Sequence, residues 1–259
     1  GMVLAVNIGN THICIGGYEN GAQAFSAKLS SEPPRTADEY ALQLCSLLAM
    51  RGLGGAVIEG AILGSVVPAV TGQMLAALRG LGALRVLTVG PGLKSGLAIR
   101  IDDPAELGAE LLCAAVGALR LGPPPVVLVC ADTALSVMAV NAAGQLVGGV
   151  ILPGPEAALR SLVRGTAQLP QVDLQTVNGE PSVLSTNTAA CLRAGSILGT
   201  AAMLDGLLAQ FQRELGGNAR VVATGSLPPP VRRACRTSME YIGGLILDGL
   251  YAIWLKNQK

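Results

Sequence analysis

The 259-residue chain sets 18 Lys plus Arg against 17 Asp plus Glu, a formal charge of +1, with only 14% of positions charged, which leaves no electrostatic footprint for nucleic acid. Hydrophobic residues make up 51% and glycines number 34, enough for a packed core and too apolar for a disordered chain. Apolar runs such as Val126 to Cys130 are broken well before the ~18 residues of a spanning helix, so no membrane association is expected; the chain reads as a soluble cytoplasmic protein, with Gly1 ahead of Met2 an appended residue.

The length suits two domains of roughly 120 to 130 residues. Val3 to Ile8 and His12 to Gly17 are strand-like runs either side of Gly9-Asn10-Thr11, which predicts an opening β-hairpin. Thr36 and Glu39 have the spacing of a capping box ahead of Tyr40, Leu44 and Leu48, so a helix of about four turns follows. Short buried strands are expected at Ile62 to Val67 and Arg85 to Val89, with helix around Met74 to Leu78. Asp103 as cap, Pro104 at the first helical position and Glu106 predict a helix running to about Leu121.

Gly122 and three prolines end it and mark the expected boundary between domains 1–122 and 123–259. The plan then restarts: strands Val126 to Asp132, Leu135 to Asn141 and Leu146 to Ile151, a long helix over Asn187 to Leu215, a strand at Val221 to Thr224 and a final helix from Leu245. Two halves, each opening with a hairpin whose turn carries Thr, suggest a duplicated α/β fold around a cleft. The six cysteines are far apart and include no C-x-x-C pair, so no zinc site is expected and at least five of them, Cys130 being set apart, read as buried thiols.

The opening block Asn7-Ile8-Gly9-Asn10-Thr11 resembles the Asp-x-Gly-Asn-Thr turn of type III pantothenate kinases. Further blocks similar to that family follow in order: Arg35 to Tyr40, Ser65-Val66-Val67-Pro68, Gly90-Pro91-Gly92, Asp103 to Ala109, Gly148-Gly149 through Gly154, Asn187-Thr188, Asp205-Gly206 and Thr224-Gly225. The resemblance implies two ribonuclease-H-like domains of the actin, Hsp70 and acetate/sugar kinase superfamily around a nucleotide cleft. It also implies a homodimer, ATP with Mg²⁺, a monovalent cation such as K⁺ or NH₄⁺, and phosphorylation of pantothenate at its 4′-hydroxyl towards coenzyme A. Proteins named Bvg accessory factors belong to the same family.

The family's three aspartates are altered here. Asn7 stands at the first, an amide that can hydrogen-bond a metal-bound water but brings no charge to a hard cation. Glu110 stands at the second, where the resemblance implies the base, within Gly108-Ala109-Glu110-Leu111; Leu111 replaces an arginine that would hold substrate. Cys130 stands at the third, the cation-side position, in Cys130-Ala131-Asp132-Thr133-Ala134. Asp132 is weighed as a displaced ligand, since positions i and i+2 of a strand share a face; against it, the shift is about 6.5 Å and the carboxylate would lie near phosphate oxygens.

Gly9, Asn10, Thr11 and Thr133 are candidate phosphate contacts, each also readable as an ordinary turn or strand-end residue. Gly108, Ala109, Leu111 and Thr188 are candidate substrate contacts, although Asn187-Thr188 also suits a helix cap. The expectation is a family member with weak or lost pantothenate-phosphorylating activity. Alternatives are a non-catalytic binding protein or partner subunit, and a kinase for another small hydroxyl compound. His12, the single histidine, reads as a packed or edge residue.

Overall fold

The computed structural model describes residues 1–83, 85–165, 169–176 and 179–259. In chain order the first elements are β1 (Met2–Ile8), β2 (His12–Glu19), β3 (Ala22–Ser30), α1 (Ala37–Met50), β4 (Ile58–Ser65), α2 (Pro68–Gly80), β5 (Arg85–Thr88), β6 (Ala98–Ile99) and α3 (Ala109–Leu121). There follow β7 (Val126–Ala131), β8 (Ala134–Val140), β9 (Gln145–Pro153), α4 (Pro155–Gly165), α5 (Thr188–Leu215), β10 (Arg220–Gly225), α6 (Pro229–Ala234), β11 (Glu240–Tyr241) and α7 (Leu245–Lys256). They form two compact units, one of Gly1–Leu97, Asp102–Leu121 and Gly244–Lys259, the other of Ala98–Ile101 and Gly122–Gly243.

In the first unit the sheet order is β3-β2-β1-β4-β5, antiparallel across β1, β2 and β3 and parallel from β1 through β4 to β5. Strand periodicity sorts β1: Met2, Leu4, Val6 and Ile8 join the core formed with Tyr40, Leu44 and Leu48 of α1 and Val70, Met74 and Leu78 of α2. Val3, Ala5 and Asn7 face the other way. The Thr36 cap is as expected, its hydroxyl accepting from the Glu39 N–H at 3.2 Å while Glu39 reaches back to the Thr36 N–H.

The second unit repeats the order as β9-β8-β7-β10-β11, with short β6 added beside β9. Its core joins Val127, Val129 and Ala131 of β7 to Ile197, Ala201, Leu204 and Leu208 of α5. That 28-residue helix is long and apolar enough to cross a membrane by length and composition, which the broken apolar runs of the sequence concealed. Its buried stripe packs on the sheet, and Gly216 at φ 87° ends it in the left-handed region.

Four features depart from the sequence reading. Strand β3 was not anticipated, because Phe25 is its one buried residue; the signal was Asn20-Gly21, with φ 50° and 82°, at the turn before it. Strand β4 starts at Ile58 rather than Ile62, Gly60 being kept inside it because a Cβ would lie 2.2 Å from the Trp254 ring. The helix expected from Pro104 is split: Asp103 caps a single 3₁₀ turn over Pro104–Glu106, Leu107 is extended, and α3 starts at Ala109. The fourth is α7, which the sequence reading assigns to 123–259 and which packs in the first unit. Gly249 lies so close to α3 that a Cβ would be 1.8 Å from the Cys113 carbonyl, and a Cβ on Gly117 would be 2.5 Å from that of Leu245.

Candidate functional site

The first unit gathers its candidate residues where β1 ends. The turn is closed by the Gly9 N–H donating to the His12 carbonyl at 2.9 Å. Buried Ser31, at the end of β3, donates from its hydroxyl to the Gly9 carbonyl at 2.6 Å and from its N–H to that of Thr11 at 3.0 Å. Gly9 is buried while Asn10, Thr11 and His12 are exposed, so the turn presents its tip.

The break at Leu107 puts Glu110 in the first turn of α3, where the helix dipole favours a negative charge. Asn7, 7% exposed on the β1 face opposite α1 and α2, donates from Nδ2 to Glu110 Oε1 at 3.2 Å. The same oxygen lies 3.4 Å from where a Gly9 Cβ would be. One carboxylate, one amide and a tight turn thus converge. One turn on, burial and then the Glu110 charge push the Cys113 thiol up to about 12. Gly108 is exposed, its carbonyl accepting from the Leu112 N–H, and Ala109 and Leu111 are half-buried beside Glu110.

The second unit has an equivalent place. Cys130 pairs with Ser136 and Thr224 one residue before the end of β7, as Asn7 pairs with Cys14 and Gly64 one residue before the end of β1. The β7 turn is shorter, Asp132 and Thr133, and is closed by the Asp132 N–H donating to the Ala134 carbonyl at 2.9 Å. It is braced by close backbone: the Gly154 N–H donates to the Thr133 carbonyl at 2.9 Å and the Ser226 N–H to that of Ala131 at 2.8 Å. Gly225, at φ 88°, would place a Cβ 2.0 Å from the Ala131 carbonyl.

Strand β7 ends at Ala131, so Asp132 lies in the turn and the shared-face argument for it as a substitute for position 130 does not apply. Thr188 is the exposed first residue of α5, and Asn187 caps that helix through the Ala190 N–H at 2.9 Å. The structure brings Asn7, Gly9 and Glu110 together in one unit and Cys130, Asp132 and Thr133 in the other. Sequence reasoning missed Ser31, which no periodicity marks, and Ser226, which follows the Thr224-Gly225 block.

No group of three or more His, Cys, Asp or Glu side chains able to hold a metal ion occurs among the described residues. Mg²⁺ keeps most of its shell as water and phosphate and asks little of the protein, so this donor set is compatible with Mg²⁺ arriving on a nucleotide. A hard monovalent cation does not fit a thiol at position 130.

The profile of the family described as type III pantothenate kinase matches residues 3–210. A type III pantothenate kinase of Rubrobacter xylanophilus is 36% identical over 261 residues, covering 99% of this chain and 98% of the relative; one of Rhodospirillum centenum is 37% identical, covering 87% of each. Among solved structures, the activator of a 2-hydroxyisocaproyl-CoA dehydratase from Clostridium difficile with bound ADPNP matches with TM-score 0.55 at 14% identity, covering 100% of this chain and 98% of that one. A glucokinase of the ROK family from Streptomyces griseus in complex with glucose and AMPPNP matches at 0.52 and 14%, covering 98% of each. The shared fold is a pair of ribonuclease-H-like α/β domains.

Proposed function

Because the chain belongs to the type III pantothenate kinase family, we propose that it transfers the γ-phosphoryl group of ATP to the hydroxyl of pantothenate or a close analogue, at a reduced rate. The observation that carries this reading is the Glu110 carboxylate held at the Gly9 turn by Asn7. Glu110 takes the proton from the substrate hydroxyl, whose oxygen attacks the γ-phosphorus. A new O–P bond forms as the bond to the β,γ-bridging oxygen breaks, and ADP leaves with that electron pair. Within the first unit Gly9, Asn10 and Thr11 contact phosphate through backbone and hydroxyl groups, and Gly108, Ala109 and Leu111, beside Glu110, contact substrate; the second unit's own candidates are Thr133 for phosphate and Thr188 for substrate. Mg²⁺ accompanies ATP and screens its phosphate charge.

The reduced rate follows from charge. Asn7 and Cys130 occupy equivalent positions of the two sheets, and neither brings the carboxylate that the family resemblance implies. Glu110 retains the base at a length one methylene greater than aspartate, and a positioned base contributes ~10²–10⁴-fold. With a thiol at Cys130 in place of the carboxylate that the resemblance implies, the dependence of turnover on K⁺ or NH₄⁺ is weakened. The protein acts in the cytoplasm as a homodimer at the first step towards coenzyme A.

Concentrated protein incubated with Mg-ATP and pantothenate, with phosphorylated product read by mass spectrometry, tests the reading; Glu110→Ala is the control. Product that disappears in the control supports a slow kinase. No product from pantothenate but ADP release with another alcohol of a pantothenate-like panel moves the substrate, as the apolar Leu111 favours a less anionic one. A flat panel with retained ATP binding leaves a non-catalytic binding protein, the second reading that Asn7 and Cys130 favour.

A further inference from the structure

We infer that Asn7 is a positioning residue for Glu110, the two forming a matched exchange in which an amide faces a longer carboxylate where the family resemblance implies two aspartates. The catalytic half of this inference rests on the kinase reading above; the pairing itself does not.

Position 7 is fixed twice by β1. Its register pairs it with Cys14 and Gly64, and its parity turns it away from the α1 and α2 core. The neighbours leave room for its side chain. Asn7 Oδ1 lies 3.7 Å, and the Ala109 Cβ 3.8 Å, from where a Gly64 Cβ would be, so small residues surround the amide. The amide then has a directed task, since the carboxylate of Glu110 accepts and only Nδ2 of Asn7 donates. Oε1 is held at 3.2 Å from Asn7, beside Gly9, in the helix turn where a negative charge is favoured.

The length of Glu110 makes the choice of amide consequential. An aspartate at 7 would set two carboxylates about 3 Å apart, a distance at which like charges cannot both ionise comfortably. An aspartate at 110 would draw its carboxylate back by about 1.5 Å, out of reach of the amide but clear of a second acid. Each residue therefore suits the other, and restoring either alone breaks the pair.

Four full-length proteins test this: wild type, Asn7→Asp, Glu110→Asp and the double variant. The expected kcat falls ~10-fold or more in each single variant, as for a catalytic group displaced by about an ångström, and returns to at least the wild-type value in the double, with KM for ATP little moved. A melting series reads the pairing without catalysis. Asn7→Asp should lower Tm by ~2–4 °C with Glu110 present and leave it unchanged in a Glu110→Gln background, where no second carboxylate faces it. An Asn7→Asp single variant as active as wild type, or a Tm loss that persists with Glu110→Gln, overturns the inference. If all four proteins make no product, the kinase reading fails and the melting series alone decides whether Asn7 and Glu110 are paired.

Discussion

At the end of β1 the chain turns through Gly9, Asn10 and Thr11, and at the end of β7 through Asp132 and Thr133; both turns close on a backbone hydrogen bond of 2.9 Å. In the first, a helix brings a carboxylate to the turn and an amide on the strand holds it. In the second, the carboxylate is part of the turn, and the equivalent strand position carries the Cys130 thiol. The bracing differs as well, a buried serine hydroxyl in one and closely packed glycine backbone in the other. The two units thus repeat a strand order and a closed turn at the end of an equivalent strand, while the paired carboxylate and amide occur at the first turn.

The largest expected effect follows from that asymmetry. Glu110→Ala should lower phosphoryl transfer by ~10²-fold or more, whereas Asp132→Ala should change kcat by less than about tenfold, the effect of a displaced exposed charge. Steady-state rates with a sensitive ADP assay decide between the turns, and equal losses would mean that the second turn is as organised as the first. Next is Gly225→Ala. It forces a side chain into the left-handed region and against the Ala131 carbonyl, and should cost ~2–3 kcal/mol, read as a lower denaturant midpoint of the second unit.

Much of this was legible because the signals are local. The Thr36 and Glu39 box, the Asn187 cap and the apolar runs of β1 and β7 each depend on a few neighbouring residues, and the elements they mark are present. The features that were not legible depend on partners far along the chain. Asn7 and Glu110 are 103 residues apart, so position 7 reads as a lost acid until the carboxylate it holds is seen. Nothing local marks Gly249 either, since its reason is the Cys113 backbone packed against it. Strand periodicity puts Asp132 on the face of position 130, but the strand ends one residue earlier.

The bracing of the turns gives a smaller contrast. Ser31→Ala removes a hydroxyl donor 2.6 Å from a buried carbonyl and should cost ~1–2 kcal/mol, with a loss of kcat because the turn beside Glu110 loosens. Ser226→Ala removes a longer contact of 3.3 Å to the Ala131 carbonyl, which keeps the Ser226 N–H bond, and should cost under about 0.5 kcal/mol. Chemical denaturation of the two variants checks the order, and a reversed order would place the better-braced turn in the second unit.

A last contrast concerns the hairpin that carries the first turn. On β2, Tyr18 stacks on Tyr251 of α7 at 4.3 Å and donates to Asp248 at 2.7 Å. Burial first, then the Asp248 carboxylate, push its phenol well above the ordinary 10.0. Burial does the same to Cys113, from 9.0 up to about 12. A folded-state pKa that is raised gives stability that is complete below the unfolded value and is lost as pH rises towards the folded one, because the unfolded chain releases the proton first. Stability should therefore decline from about pH 9 as Cys113 contributes and more steeply above about pH 10 as Tyr18 joins. Tyr18→Phe should be ~1 kcal/mol less stable near neutrality yet lose less than wild type between pH 10 and 11, since one titrating group is gone. Melting temperatures across that range test it, and parallel curves for the two proteins would show that the tie between β2 and α7 does not depend on the Tyr18 proton.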